Sequence, residues 1–313
     1  MEIPITFLGT GQAIPTSRRN HTSILLQYKS ENILVDCGEG TQRQFRKAGL
    51  NPCNLTRILI THWHGDHILG IPGLLQTLAL NGYNKTLHIY GPKGTSQFLA
   101  LMLKMFIFQE KLKVEVKEID FPSSSFDKLE KKGKVLETSD FIIEAFPMQH
   151  GAPCLAYSFK EKDKIRIDKK KLEKLKLPNS PLIHQLQQGK DIEFQGKKIK
   201  AKDITYEEKG KKITFILDTG INKEMLKASE NADLLICEST FLDDSDEGKE
   251  LARDYKHLTA KQSAETAKQA DCKKLILTHL SQRYENKEKL ILAEAKKIFK
   301  DTIIAEDLMR FKV

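Results

Sequence analysis

The chain has 313 residues, 40% hydrophobic and 30% charged, enough for one large domain or two moderate ones with a sizeable core. It holds no apolar run near the ~18 residues of a membrane span, and MEIPITFLGTGQAIP lacks the regions of a secretory signal, so a cytoplasmic protein with no membrane span is expected. Five scattered cysteines (Cys37, Cys53, Cys154, Cys237, Cys272), never in a CxxC pair, exclude a disulfide framework and a thiolate zinc site, and the +9 charge suggests an anionic partner.

Short apolar runs bounded by turn signals predict strands at 5–8, 23–27, 33–36 and 57–61, with helices over 40–48 and 69–81. Strands follow at 87–90, 113–119, 142–147 and 155–159, with a helix over 93–108. The last third predicts strands at 213–218, 234–238 and 274–278 and helices over 258–271 and 285–299. Strands and helices thus interleave in two rough halves, an α/β (α+β) pattern of sheets with helices on their outer faces. One stretch breaks the pattern. Residues 158–212 carry seventeen Lys or Arg against nine Asp or Glu. Within it, about 165–203 offers a short helical stretch, two prolines and a polar turn, and few positions for a core. It reads as a basic arm inserted into a single domain spanning 1–313; a solvated lysine-rich surface is the alternative.

The most informative segment is Thr61-His62-Trp63-His64-Gly65-Asp66-His67, between a predicted strand and a predicted helix. In an extended loop, residues two apart point the same way, so His62 and His64 can converge on one ion. Asp66 and His67 follow the turn at Gly65 and can face a neighbouring position. Imidazole and carboxylate are ligands that zinc takes. Two ions need further donors, and three lie at predicted strand ends: His150 in FPMQHG, Asp218 in ITFILDTG and His279 in KLILTHLSQRY. Asp218 is the natural bridge, because a carboxylate can give one oxygen to each ion. Trp63, inside the ligand loop, reads as packing rather than base stacking.

This combination resembles the metallo-β-lactamase superfamily, which implies an αββα sandwich. The resemblance assigns His62, His64, His150 and Asp218 to one zinc and Asp66, His67, Asp218 and His279 to the other, two zinc ions per subunit. Within the superfamily, FLGTGQAIPTSRRN, LVDCGEGTQRQ, LLICESTF, HLTAKQSAETA and LTHLSQRY, in this order over almost the whole chain, are similar to the ribonuclease Z family. Departures are Cys237 where the family's HEATF-type segment has histidine, Asn179-Ser180-Pro181 at the arm's turn, and LDTG near Asp218.

The likeness implies a zinc-dependent endoribonuclease that removes the 3′ trailer from precursor tRNA, leaving a 3′-hydroxyl on the tRNA and a 5′-phosphate on the trailer. Two ions would lower the pKa of water toward neutrality, and Asp66 would accept its proton. Arg283, with the zincs, would offset charge on the phosphate oxygens, and His257 backed by Glu238 would protonate the leaving 3′-oxygen. The arm would grip the tRNA through Lys169, Lys170, Lys171, Lys174, Lys176, Lys197 and Lys198, and the family's usual homodimer is carried over. The rivals are another phosphodiesterase of this fold and a non-catalytic RNA-binding protein; the second predicts lost ligands, and all seven are present.

Overall fold

In the computed structural model, which describes residues 2–106, 112–121, 133–175, 177, 180–243 and 246–313, two seven-stranded sheets dominate. The first begins with Pro4–Gly9, Ser23–Tyr28 and Glu31–Val35, antiparallel in succession. They are buried along nearly their whole length, which is why they read as continuous apolar runs rather than as alternation. Glu31–Val35 then runs parallel to Arg57–Leu59, followed by Thr86–Pro92 and Lys113–Ile119. Arg310–Lys312 joins the other edge, pairing with Pro4–Gly9.

The second sheet runs in the order Thr302–Ile304, Leu275–Thr278, Leu234–Glu238, Lys212–Ile216, Cys154–Glu161, Phe141–Met148 and Lys134–Glu137. Its first four strands are parallel neighbours, so the segments leaving Ile216, Glu238 and Thr278 emerge side by side. The two sheets meet face to face: Tyr157 Oη donates to the Ile60 carbonyl at 2.8 Å, and Leu155 N to the Thr61 carbonyl at 3.0 Å. Helix Ile71–Leu80 buries Ile71, Leu74, Leu75 and Leu78 in one cluster with Leu34 and Ile58 of the first sheet. Helix Ala260–Gln269 places Ala260, Ala264 and Ala267 with Leu235 and Leu277 of the second, where small side chains allow close approach. Each buried leucine contributes roughly 2 kcal/mol.

Several boundaries differ from the expectation for local reasons. The helix predicted over 69–81 is divided into Gly65–Ile68 and Ile71–Leu80. At the break, a Cβ on Gly70 would sit 2.1 Å from the Gly38 carbonyl oxygen, so glycine lets the CGEG loop press against the histidine loop. The helix predicted over 258–271 starts at Ala260 because Thr259 and Gln262 form a reciprocal cap. That predicted over 285–299 is Glu288–Lys296, preceded by a short 3-10 turn, Gln282–Tyr284. The one predicted over 93–108 is Thr95–Lys104, and its last two positions lie outside the described residues. Helices Lys223–Ser229 and Asp246–Tyr255 had no counterpart among the predicted elements; both are short, and the second is mostly charged.

Residues Thr138–Ile142 and Lys160–Lys211 form a second compact unit. Lys164–Ile167 pairs antiparallel with Thr205–Glu208. Ile192–Phe194 and Lys197–Ile199 form a hairpin whose turn residues, Gln195 and Gly196, both have positive φ (51° and 71°). Helices Lys169–Lys174 and Pro181–Gln187 complete it. Few core positions were expected here, yet Leu177, Leu186, Ile192, Ile199, Ala201 and Ile204 form a small core of the unit's own. Each element supplies only one or two of them, too few to register as periodicity. Among the described residues no helix is long and apolar enough to cross a membrane.

Candidate metal centre

Four strand ends and one loop build the site. The HWHGDH loop leaves strand Arg57–Leu59 and ends in the short helix Gly65–Ile68, which His64 precedes and which contains Asp66 and His67. His150 follows strand Phe141–Met148, Asp218 follows Lys212–Ile216, and His279 follows Leu275–Thr278. The parallel register pairs Glu238 with Thr278, which sets Glu238 beside the backbone that turns into His279. That turn is strained: His279 has φ 56°, and Asp36, after strand Glu31–Val35, has φ 57°. Backbone strain of this kind persists where surrounding contacts over-determine it.

The seven side chains fall into two groups that share Asp218. His62, His64, His150 and Asp218 offer ligand atoms within 4.8 Å of one another, and so do Asp66, His67, Asp218 and His279. The two oxygens of Asp218 face different groups. Oδ2 lies 3.6 Å from His62 Nε2 and 3.7 Å from His150 Nε2, whereas Oδ1 lies 3.4 Å from His67 Nε2 and 3.0 Å from His279 Nε2. Asp66 Oδ2 completes the second group at 3.2 Å from His67 Nε2 and 3.4 Å from His279 Nε2. His64 turns its Nδ1 toward His150 Nε2, 3.2 Å away.

A further ring of groups fixes the imidazoles from behind. Asp36 Oδ2 accepts from His67 Nδ1 at 2.6 Å, and the Lys256 carbonyl accepts from His150 Nδ1 at 3.1 Å. The Thr61 hydroxyl donates to Asp36, leaving its oxygen to accept from His62 Nδ1 at 3.1 Å. The Thr240 hydroxyl donates likewise to Glu238 and stands 3.1 Å from His279 Nδ1. With Nδ1 occupied on these four rings, Nε2 is the nitrogen each turns inward. Sequence reasoning assigned no role to Asp36, Thr61, Thr240 or the Lys256 carbonyl. Asp36, a carboxylate ending an apolar strand, carried a signal that could have been used; a carbonyl carries none.

The charges suit a cation. Burial, with the charge of His67, pushes His62 well below the ordinary histidine range, and burial lowers His150 as well. Burial opposes ionisation of Asp66 and Asp218, but neighbouring histidines outweigh it and hold both carboxyls below the usual carboxylate range. Burial likewise opposes the charged form of His67, yet Asp218, Asp66 and Asp36 drive that ring well above its ordinary value. Three carboxylates enclosed with so little solvent call for positive charge. Among the described residues His62 Nε2, His67 Nε2 and Asp218 Oδ1 are buried with no hydrogen-bond partner. Such orphans are rare in native interiors, and these are donor atoms that divalent zinc accepts. The residues present therefore fit a metal site.

His257 and Glu238 lie against this cluster. Glu238 Oε2 accepts from His257 Nδ1 at 3.0 Å and from Thr240 Oγ1 at 2.6 Å, while Oε1 accepts from Thr219 N at 2.6 Å. Glu238, His257 and His279 also offer ligand atoms within 4.8 Å, but the hydrogen bonds to Glu238 make this a network for holding His257. Arg283 stands apart on its 3-10 turn, where Nη1 pairs with Glu247 at 2.8 Å on the surface. Trp63 packs against Phe98, with ring centroids 5.3 Å apart, and donates Nε1–H to Thr95. An apolar hollow of about 500 Å³ adjoins it, but none of the seven cluster side chains lines that hollow. In the second unit Lys169, Lys170, Lys171, Lys174, Lys197 and Lys198 are exposed; Lys176 lies outside the described residues.

The chain is similar to several known proteins. A family profile described as anti-Pycsar protein Apyc1 matches residues 3–171. A ribonuclease Z of Methanothermobacter thermautotrophicus is 40% identical over 99% of this chain and 96% of its own. The solved structure of human tRNase Z, short form, superposes with a TM-score of 0.71 at 27% identity, covering 98% of each chain. The metallo-β-lactamase-fold protein YhfI of Bacillus subtilis gives a TM-score of 0.67 at 21% identity, covering 100% of this chain and 99% of its own, a likeness of fold.

Proposed function

The chain belongs to the ribonuclease Z family, and from that premise we propose that it cleaves the 3′ trailer from precursor tRNA as a zinc-dependent endoribonuclease. The products would be a tRNA ending in a 3′-hydroxyl and a trailer carrying a 5′-phosphate. The observation that carries this reading is Asp218, whose two oxygens face two separate sets of imidazole nitrogens. His62, His64, His150 and Asp218 would hold one zinc, and Asp66, His67, Asp218 and His279 the other. When bound there, the pair supplies Lewis-acid polarisation of a phosphodiester and lowers the pKa of water toward neutrality.

The chain's own groups supply the rest. Asp66, held ionised by its histidine neighbours, orients the attacking water and accepts its proton. Burial disfavours a charged His257, but Glu238 and Asp218 outweigh it and push the ring up to about 9. A cation at Asp218 offsets that residue's share; Glu238 at 3.0 Å keeps its own. Glu238 on Nδ1 favours the charged ring and leaves Nε2 to deliver a proton to the departing 3′-oxygen. Arg283 would exchange Glu247 for a non-bridging phosphate oxygen. Lys169, Lys170, Lys171, Lys174, Lys176, Lys197 and Lys198 would bind tRNA phosphates and add largely sequence-independent, salt-dependent affinity. A cytoplasmic homodimer completes the reading.

The test is a 3′-extended precursor tRNA incubated with the protein, with and without chelator. One metal-dependent cut that leaves a 3′-hydroxyl on the tRNA is expected. Binding without cleavage, or turnover confined to small phosphodiesters, would overturn the proposal.

A further inference from the structure

The contact between His150 and the Lys256 carbonyl has a particular origin. Helix Asp246–Tyr255 ends in a Schellman cap: His257 N donates to the Ala252 carbonyl at 2.8 Å, and Lys256 N to the Arg253 carbonyl at 3.3 Å. Such a cap needs a left-handed residue at Lys256, and its φ is 54°. Glycine is the usual occupant, because a Cβ is disfavoured there. The conformation directs the Lys256 carbonyl at Nδ1 of His150, 3.1 Å away, and the Lys256 ammonium returns to the His150 carbonyl at 3.3 Å. The next residue is His257, whose ring lies 5.2 Å from that of His150, centroid to centroid.

We propose that the helix cap at Lys256 is a positioning device in which one left-handed peptide sets both a metal ligand and the proton donor. The Lys256 carbonyl fixes the tautomer and rotation of His150 so that Nε2 faces the cation site. The same peptide unit supplies the nitrogen of His257, so its ring is delivered to Glu238 by the same turn. Ligand and acid cannot shift independently. Lys256 touches no reacting atom; it acts through its backbone, and its side chain secures the His150 loop from the other side. This rests on the reading of His150 as a ligand.

The experiment compares Lys256→Gly, which accepts positive φ, with Lys256→Val, whose branched side chain does not. Three properties are read on each: zinc affinity by competition titration, the ¹⁵N chemical shifts of His150 in metal-loaded protein, and the pH profile of kcat. Lys256→Gly should keep zinc affinity within about threefold and retain a protonated Nδ1 on His150. Lys256→Val should lose about 10- to 100-fold in affinity and displace the His257 limb of the pH profile in the same variant. Equal behaviour of the two variants would overturn the proposal, as would a Lys256→Val protein that is less stable yet unchanged in affinity and pH profile. Wild-type protein that binds no divalent ion would overturn the metal reading and the cap with it; binding that both variants retain overturns the cap alone.

Discussion

The candidate metal end of the sheets and the lysine-rich unit of residues 160–211 invite comparison, because both concentrate charge and do so by opposed means. At the metal end Asp66, His67, Asp218 and His279 are buried, and each imidazole is held by a named partner behind it. Low solvent access strengthens every interaction there and makes every unpaired atom costly. In the lysine-rich unit the charges stand in water, on long flexible side chains, with a screening length of about 8 Å at physiological salt. The first region depends on position to within a fraction of an ångström, and the second on charge density. A single substitution should therefore be severe in one place and nearly silent in the other.

The sharpest way to break that contrast is Asp218→Asn, which keeps the volume and removes the charge shared by both ligand groups. Hydrolysis of precursor tRNA should fall by roughly a thousandfold or more, and the rise in melting temperature expected for the wild type on adding zinc should be lost. Retention of both metals in this variant, read by elemental analysis, would remove Asp218 as the bridge. Asp36→Asn probes the layer behind. Its expected effect is about 10- to 100-fold weaker metal binding, with the loss concentrated on the site containing His67. A change in stability with no change in metal affinity would make Asp36 a purely structural residue.

The smallest effect belongs to the other region. Lys169→Ala, Lys170→Ala and Lys174→Ala combined should raise KM for precursor tRNA about tenfold and flatten the salt dependence of binding by roughly two to three in log–log slope. Any change on a small chromogenic diester should be much smaller. Equal losses on both substrates would mean that the unit acts on the metal centre rather than as a binding surface, and a single lysine with the whole effect would contradict additive charge.

How much was legible follows from the same contrast. The HWHGDH loop announced itself because four potential donors within six residues have little reason to coexist except around an ion. Asp218 and His279 were legible because buried parallel strands read as apolar runs and the polar residue after such a run stands out; His150 stood out after the mostly apolar FIIEAFPM. Arg283 was given a place near the reacting phosphate, and the structure sets its guanidinium against Glu247. The second unit was visible as charge but not as a core, since hairpin Ile192–Phe194/Lys197–Ile199 exposes most of its residues.

The sequence by itself determined the donor types, their approximate stations at strand ends, and the excess of positive charge in one segment. All are properties of residue identity and local period. Only the tertiary structure decided which oxygen of Asp218 faces which histidines, that Arg310–Lys312 closes onto Pro4–Gly9, and that Asp36 and the carbonyl of Lys256 accept from Nδ1 of His67 and His150. Those are relations between residues far apart in the chain, and a backbone carbonyl is chemically the same at every position until folding points it somewhere.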